Sequence, residues 1–460
     1  MNRRQVFSGV AAAATGTATG AFLLSRQAAK RPNFLIVIAD DLRWDSVGAL
    51  GNRAAQTPVL DGLAYRGRVF SNAFVTTSIC PTSRASILTG QYGRRHGVWS
   101  FDKALTAAQM QQAYPSLLRA NGYQTGFVGK WGIGNELPTD AFDFFRGILG
   151  QGSYYDAANG GRHLGDVFRE QALEGLSGFK AGDPFCLILC SKEVHEQDED
   201  TANPYQPMAK FSHLYENVTF PSPATANVRS FEKLPPFVRT SLGRTRWEPR
   251  FSTEQLFQTS MRAYHQLLTG LDDICGDIVK MLEQKGVLDD TVIIVTSDNG
   301  NMLGDHGLAA KWFMFEESIR VPLIVSAPER FGFGAGSVDR SVALNVDIAP
   351  TILALAGIPV PAGMQGRPLL EPAESRPSPG VAREFLYEHL LEIPNLPKSE
   401  GVRTSRFKYV KYLVEGGDYE SLFDLTNDPF EETDLARTET GQQLLPDMRL
   451  KLSSLVAEAA

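Results

Sequence analysis

Two apolar runs that end in neighbouring polar residues place the strongest constraint on the fold of this chain. Residues 33–39 read Asn-Phe-Leu-Ile-Val-Ile-Ala and lead into the pair Asp40-Asp41. Residues 291–297 read Thr-Val-Ile-Ile-Val-Thr-Ser and lead into the pair Asp298-Asn299. Near-continuous apolar runs of this length are typical of parallel strands that are buried on both faces of a sheet. Ligands collect at the carboxyl ends of such strands, so the two polar pairs predict one shared site there.

Helical patterns separate the predicted strands. Residues 255–285 predict one long amphipathic helix, and residues 115–121 predict a short one. Further strands are predicted at residues 184–190 and 323–325. Strands that alternate with helices indicate an α/β fold, here a large, mostly parallel sheet sandwiched by helices.

The two ends of the chain differ from this central pattern. Residues 1–30 combine Arg3 and Arg4 with a weakly apolar stretch, which predicts an export signal of the twin-arginine type. After a main domain at residues 31–370, residues 371–460 predict a smaller α+β domain. Its predicted elements are antiparallel strands at 403–413 and 420–425 and a helix at about 442–459. The irregular, proline-rich residues 196–254 predict a long loop that lines or covers a site.

Charge and cysteine content exclude several functional classes. The formal net charge is −7 over 460 residues and there is no long polybasic run, so no nucleic-acid partner is expected. Four cysteines are too few for a disulfide framework, and Cys186 and Cys190 lie in an apolar run that predicts burial. After residue 30 no run is long and apolar enough to span a membrane, so stable insertion is not expected. The two polar pairs offer only oxygen ligands, which suit calcium or magnesium better than zinc.

One segment carries a much more specific pattern. Residues 76–98 read TTSICPTSRASILTGQYGRRHGV, in which Cys80 is followed by Ser83 and Arg84 and then by Leu-Thr-Gly at 88–90. This segment resembles the signature of the type I, formylglycine-dependent sulfatases of the alkaline-phosphatase-like superfamily. The resemblance continues in order along most of the chain, through the segments 57–64, 122–131, 297–311, 320–322, 346–351 and 422–429.

The resemblance implies a fold, a modified residue and a metal. The fold is that of the superfamily, with residues 31–370 as the sulfatase catalytic domain. Cys80 corresponds to the cysteine that a formylglycine-generating enzyme oxidises before folding, and the hydrated aldehyde serves as the nucleophile. One Ca²⁺ ion is implied, with the ligands Asp40, Asp41, Asp298, Asn299 and the formylglycine at position 80.

The resemblance also implies roles for the charged residues of the site. Arg84 is expected to hold the hydrated aldehyde, and Lys130 and Lys311 are expected to bind the sulfate oxygens. His195 matches the family histidine that protonates the leaving alcohol, a task that suits a group with a pKa near working pH. His306 follows Asp298 closely and is expected to contribute to substrate binding.

Two positions depart from the family pattern. Thr82 stands where the family usually has proline or alanine, which raises the question of how readily Cys80 is modified. Gly132 stands where the family motif Gly-Lys-Trp-His has a histidine that contacts the formylglycine. Another base is then expected to replace that histidine, and the candidates in the sequence are His96, His163 and His306.

These features together predict a sulfuric ester hydrolase. The expected substrate is a sulfated polysaccharide or oligosaccharide that the exported enzyme meets in the periplasm or outside a bacterial cell. Two alternatives remain open: a phosphodiesterase or phosphonate monoester hydrolase of the same superfamily, and a non-catalytic binder of sulfated glycans.

Overall fold

The predicted buried strands lie together in one eight-stranded sheet. The computed structural model describes residues 30–369 and 383–460. The strands are β1 (Asn33–Ala39), β2 (Arg68–Phe74), β3 (Gln124–Lys130), β4 (Phe144–Ile148), β5 (Phe185–Cys190), β6 (Thr291–Ser297), β7 (Leu323–Ser326) and β8 (Ser337–Leu344). Their order in the sheet is β4-β3-β5-β1-β6-β7-β2-β8, and β7 runs antiparallel to both of its neighbours while the other pairs are parallel. A large, mostly parallel sheet is therefore confirmed.

Helices cover both faces of this sheet because the central strands are apolar on both sides. The helices are α1 (Pro58–Arg66), α2 (Cys80–Thr89), α3 (Gly93–His96), α4 (Ala107–Gln112), α5 (Tyr114–Ala120), α6 (Leu164–Gly178), α7 (Val228–Glu232), α8 (Pro236–Arg239), α9 (Leu242–Phe251), α10 (Glu254–Gln284), α11 (Glu316–Ile319), α12 (Ile348–Leu355) and α13 (Glu439–Ala459). Along β1, Phe34 and Ile36 pack with residues of α2, α5 and α12, whereas Leu35 and Val37 pack with residues of α1, α6 and α10. Alternating side chains of one strand thus supply two separate cores.

A second, four-stranded antiparallel sheet forms the C-terminal part, as predicted. Its strands are β9 (Phe385–His389), β10 (Lys398–Arg403), β11 (Phe407–Leu413) and β12 (Tyr419–Asp424), in the order β12-β11-β10-β9. Helix α13 packs on it through Leu445, Met448 and Leu452. The strand expected at residues 403–413 is wrong as one element, because Thr404 turns the chain between β10 and β11. Its backbone N–H donates to the carbonyl of Phe407 at 2.8 Å, and its hydroxyl accepts from Phe407 N at 2.8 Å.

The remaining expectations are accurate where the apolar periodicity of a helix is clear in the sequence, and less accurate where it is weak. The predicted helices at 255–285 and 115–121 are confirmed within one residue as α10 and α5. Residues 196–254 are less irregular than expected, since they contain α7, α8 and α9. Helix α9 carries three arginines, a glycine and Pro249, so it lacks the apolar periodicity that marks a helix in sequence.

Two expectations fall on residues outside the described part. The predicted export signal covers residues 1–30, of which only residue 30 is described, and the predicted domain boundary at 370/371 lies within the undescribed residues 370–382. Both stay predictions. No helix among the described residues has the length and hydropathy needed to cross a membrane.

Candidate active site

Four strand ends and one helix start converge at the carboxyl edge of the large sheet. β1 leads into Asp40 and Asp41, β6 leads into Asp298 and Asn299, and β3 ends at Lys130. β5 is followed by the segment that carries His195, and α2 begins at Cys80. Because β1, β3, β5 and β6 are parallel neighbours, their ends must meet at one edge.

The acidic and amide side chains surround the Cys80 thiol. The Sγ atom of Cys80 lies 3.4 Å from Oδ1 of Asp40 and 3.8 Å from Oδ1 of Asn299. Asn299 Nδ2 donates to Oδ1 of Asp41 at 2.6 Å, and the backbone N–H of Asp41 donates to Oδ1 of Asp298 at 3.3 Å. Asp41 has a φ of 63°, a left-handed conformation that aspartate tolerates better than most residues. The structure thus brings together all five residues of the predicted metal site.

Three cations face these carboxylates. Arg84, one helical turn after Cys80, donates from Nε to Oδ2 of Asp298 at 2.8 Å and from Nη1 to the carbonyl of Lys130 at 2.7 Å. Lys130 Nζ donates to Oδ2 of Asp40 at 2.5 Å, and Lys311 Nζ donates to Oδ1 of Asp41 at 2.5 Å. All of these side chains are at most 4% exposed. Three buried carboxylates are therefore balanced by three buried cations.

His195 approaches the cluster with one ring nitrogen. Its Nδ1 lies 2.6 Å from the carbonyl of Glu196, and Nε2 lies 3.7 Å from Oδ2 of Asp41. A carbonyl can only accept, so Nδ1 carries a proton and Nε2 is the nitrogen that faces the site. The hydroxyl of Tyr154 donates to the carbonyl of His195 at 2.7 Å and holds this segment in place.

Burial and charge shift the pKa values of these groups in opposite directions. Burial raises the pKa of Asp40, but Lys130, His195 and Arg84 outweigh it and hold the value well below the usual range. Burial raises the pKa of the Cys80 thiol, and Asp298 and Asp40 raise it further. Burial lowers the pKa of His195 well below its usual value, and nearby Lys311 lowers it further.

The residues present fit a hard divalent cation. Donor atoms of Asp40, Asp41, Cys80 and His195 all lie within 4.8 Å of one another. Oδ2 of Asp41 is buried and accepts no hydrogen bond, although buried carboxylate oxygens are normally satisfied. The side chains of Asp40, Asp41, Asp298 and Asn299 supply oxygen atoms, the ligands that Ca²⁺ and Mg²⁺ prefer. The unpartnered oxygen of Asp41 and these four side chains therefore fit the predicted calcium site.

Gly132 has a positive φ of 71°, beside Arg84 and Lys130. A Cβ atom built on it would lie 3.0 Å from Cδ of Arg84 and 3.4 Å from Cε of Lys130. A side chain at this position would therefore adopt a strained backbone conformation and would need a small shift of Arg84.

The three histidines considered as replacements lie elsewhere. His96 Nε2 is 3.0 Å from the hydroxyl of Ser86, and His163 Nε2 is 2.9 Å from the carbonyl of Gln206. His306 stacks on Phe315 with ring centroids 4.5 Å apart and lines a cavity against the four-stranded sheet. Among residues 30–369 and 383–460, no hydrogen bond or ion pair joins any of the three to the Cys80 cluster. The base that replaces the family histidine is thus not identified by this geometry, and the substrate-binding role expected for His306 stays a prediction.

The other departure, Thr82, has a structural role in the folded chain. Its side chain is buried, and its hydroxyl donates to the carbonyl of Val98 at 2.8 Å. This bond ties the first turn of α2 to the segment that follows α3. Threonine is therefore compatible with the folded site.

Sequence analysis missed a group of charged residues beside His195. Arg246 forms a two-pronged ion pair with Asp198, with both N–O distances 2.8 Å, and its guanidinium lies 5.2 Å from the ring centroid of Trp312. Arg250 contacts Glu196 at 3.1 Å. Arg246 and Asp198 are 22% and 23% exposed, so they form the solvent-facing rim of an otherwise buried cluster. Sequence analysis predicted only that the segment 196–254 lines or covers a site.

Comparisons with known proteins agree with this geometry. The family model described as Sulfatase matches residues 32–358, and the model described as N-sulphoglucosamine sulphohydrolase, C-terminal, matches residues 304–458. The N-acetylglucosamine-6-O-sulfatase of Bacteroides thetaiotaomicron is 28% identical over 482 residues, which cover 88% of this chain and 83% of that protein.

Solved structures agree as well. One, described as a complex with its substrate D-glucosamine-2-N,6-O-disulfate, is 25% identical with a TM-score of 0.78, over 94% of this chain and 98% of that one. The phosphonate monoester hydrolase of Agrobacterium radiobacter, 22% identical with a TM-score of 0.75 over 94% of this chain and 96% of that one, shares the fold. With a family model that spans most of its length and a cluster built around Cys80, this chain belongs to the sulfatase family, and it is a sulfatase.

Proposed function

We propose that this sulfatase removes sulfate from a sulfated carbohydrate, with a formylglycine made from Cys80 and a bound Ca²⁺ ion. One observation carries the proposal: three carboxylates, three cations and His195 converge on the side chain of Cys80 at the carboxyl edge of the sheet. When present, the formylglycine would supply the nucleophile and Ca²⁺ would lower the pKa of a hydroxyl bound to it. Asp40, Asp41, Asp298, Asn299 and residue 80 would hold the ion.

The cations of the site suit the binding of a sulfate ester. Lys130 and Lys311 project from two sides of the cluster, and each now contacts a different carboxylate, Asp40 and Asp41. In the substrate complex we expect their N–H groups to donate to the sulfate oxygens and to stabilise charge that moves during transfer. Arg84 remains fixed by Asp298 and by the carbonyl of Lys130, so it can hold residue 80 in one orientation.

His195 is suited to protonate the leaving alcohol. Its Nδ1 proton is held by the carbonyl of Glu196, which leaves Nε2 toward the site. A bound anion next to Nε2 favours the protonated ring and opposes the effect of burial on its pKa. The proton then passes from Nε2 to the ester oxygen as the sulfur–oxygen bond breaks.

The relatives suggest which carbohydrate to test first. One relative is an N-acetylglucosamine-6-O-sulfatase, and one similar solved structure is described as a complex with a glucosamine disulfate substrate. We therefore propose a sulfated amino-sugar glycan as the substrate class. Export through the twin-arginine signal at residues 1–30, to the periplasm or beyond, and modification by a formylglycine-generating enzyme complete the proposal.

The test combines one mass measurement with one activity ratio. In protein from its own host, conversion of Cys80 should lower the mass of the peptide that spans residues 78–84 by about 18 Da. The same preparation should release sulfate from N-acetylglucosamine 6-sulfate, and addition of a calcium chelator should stop the release. Faster turnover of phosphodiesters or phosphonate monoesters than of sulfate esters would favour the alternative hydrolase. Fully modified protein that binds sulfated glycans without any turnover would instead indicate a binding protein.

A further inference from the structure

A second cavity lies against a different face of α9 from the one that carries Arg246 and Arg250. Its volume is about 270 Å³, and its lining includes Asn227, Phe231, Arg244, Trp247, Phe251 and Phe257. Helix α9 presents Arg246 and Arg250 toward Glu196 and Asp198, as described above, whereas Arg244, Trp247 and Phe251 line the cavity. Positions 244, 247 and 251 share a helix face because they are spaced by three and four residues.

Arg244 packs against two aromatic rings in this cavity. Its guanidinium carbon lies 4.2 Å from the ring centroid of Phe231 and 3.8 Å from that of Trp247. Nη1 donates to the carbonyl of Gly307 at 3.0 Å. The rings and this hydrogen bond fix the guanidinium, and its remaining N–H groups are the part that can contact a ligand.

The charge of Arg244 has no counter-charge in direct contact. Within residues 30–369 and 383–460, no carboxylate oxygen lies within 4.0 Å of its guanidinium. Glu254 also lines the cavity, but its Oε1 accepts from Gln258 Nε2 at 2.8 Å along α10. A half-buried cation without a carboxylate in contact favours an anionic ligand that accepts hydrogen bonds.

The shape of the cavity indicates what carries that anion. Aromatic rings offer flat apolar surfaces, and the guanidinium edge matches the paired oxygens of a sulfate or a carboxylate. At about 270 Å³ the cavity is slightly below the usual range for drug-sized ligands, roughly 300–1,000 Å³, which fits a single sugar unit.

We propose that this cavity binds a sulfated or carboxylated sugar unit of the same glycan chain, at a distance from the sulfate ester at Cys80. The inference rests on the proposed function for the identity of the glycan, but the cavity and its charge are independent of catalysis. Binding of one glycan chain at both sites makes the enzyme prefer long chains, because a monosaccharide can occupy only one of the two sites at a time.

The test uses the full chain with Cys80→Ala, which binds without turnover, and a size-defined heparin hexasaccharide as the probe. In this background Arg244→Ala should raise the hexasaccharide Kd about tenfold, because a charge-assisted pair is lost. In the same Arg244→Ala variant, the hexasaccharide should no longer bind more tightly than N-acetylglucosamine 6-sulfate. Arg169→Ala is the matched control, since Arg169 lies on α6 beside Asp166 and Asp273 and its loss removes the same charge elsewhere.

A second readout does not depend on the folding of the Arg244 variant. Hexasaccharide binding should change the tryptophan fluorescence of the Cys80→Ala protein, and Trp247→Phe should reduce that change, with the remainder coming from tryptophans near the Cys80 cluster such as Trp312. A fluorescence change that is the same in the Trp247→Phe variant, or equal losses of affinity in the Arg244 and Arg169 variants, would overturn the proposal. Arg244-dependent binding in a protein whose unmutated form hydrolyses no sulfated sugar would refute the proposed function and leave this binding site intact.

Discussion

The molecule contains two buried clusters of ion pairs, each formed by carboxylates and cations. The two clusters draw their residues from different parts of the fold. The Cys80 cluster gathers residues from β1, β3, β6 and α2 at one edge of the large sheet. The second cluster joins that part of the chain to the four-stranded sheet. There Lys408 Nζ lies 2.9 Å from Glu316 and 2.8 Å from Glu431, and Arg403 lies 3.3 Å from Glu316.

The difference lies in what the charges surround. In the second cluster the cations of β10 and β11 lie directly against Glu316 of α11 and Glu431, so the charges hold two parts of the fold together. In the Cys80 cluster they surround the side chain of Cys80 at the carboxyl edge of the large sheet. Buried charge alone therefore does not mark a candidate active site. Convergence on a cysteine at the strand ends of a parallel sheet does.

The largest expected effect is that of Cys80→Ala. Activity should fall to the uncatalysed background because no other group in the cluster can form the covalent bond to sulfur. The melting temperature should change by only a few degrees, since Cys80 loses one small buried atom. Sulfate release and thermal unfolding are the two measurements. Retention of full activity would end the formylglycine mechanism.

Replacing one lysine of each cluster by alanine tests the comparison most directly. Lys408→Ala should lower the free energy of unfolding by about 3–5 kcal/mol, because it leaves Glu316 and Glu431 buried without their shared cation. Lys130→Ala should instead lower kcat/KM by about 10²–10³, as expected for loss of one charge-stabilising donor. Denaturant unfolding and steady-state kinetics on both variants give the result. Similar losses of stability without selective loss of activity in Lys130→Ala would contradict the distinction.

A smaller effect is expected at the rim. Asp198→Asn removes the charge that holds Arg246 in its two-pronged pair beside Trp312. We expect kcat/KM for a sulfated oligosaccharide to fall about tenfold relative to that for a small aryl sulfate, which has no sugar to contact the rim. Asp273→Asn, at the exposed pair with Lys210, serves as the control. Equal changes in kcat/KM for both substrates would show that the Asp198–Arg246 pair does not contribute to substrate selection.

The smallest expected effect concerns pH. Burial raises the pKa of Glu431 to about 7, partly opposed by Lys408 and reinforced by Glu316. The folded state therefore binds this proton more tightly than the unfolded state, so the stabilisation is present below about pH 4.5 and is lost as pH rises through about 7. Glu431→Gln should make the melting temperature less dependent on pH between these values. An unchanged pH slope would show that Glu431 does not titrate in this range.

Sequence analysis succeeded where residue type and chain order were sufficient. The strand pattern alone predicted that the two polar pairs share one edge, because strand ends of a parallel sheet must meet. Cys80, Lys130 and Lys311 were indicated only by the family resemblance, and the structure brings their side chains to the same edge. The rim pair Asp198–Arg246 could not be predicted, since its partners are 48 residues apart in a segment without periodicity. His306 was expected near the site from its short distance in sequence to Asp298, but the turn at 304–307 directs it toward Phe315.

If Cys80 is modified as proposed, its burial sets up a kinetic competition during biosynthesis. In the folded chain only 1% of this residue is exposed, and the first turn of α2 is tied down through Thr82. If a modifying enzyme must reach Cys80, each newly made chain has a limited time before folding closes access. A cell in which folding outpaces oxidation would accumulate a stable, correctly folded and permanently inactive protein. The fraction of active molecules would then report on translation and folding rates as much as on the amount of modifying enzyme.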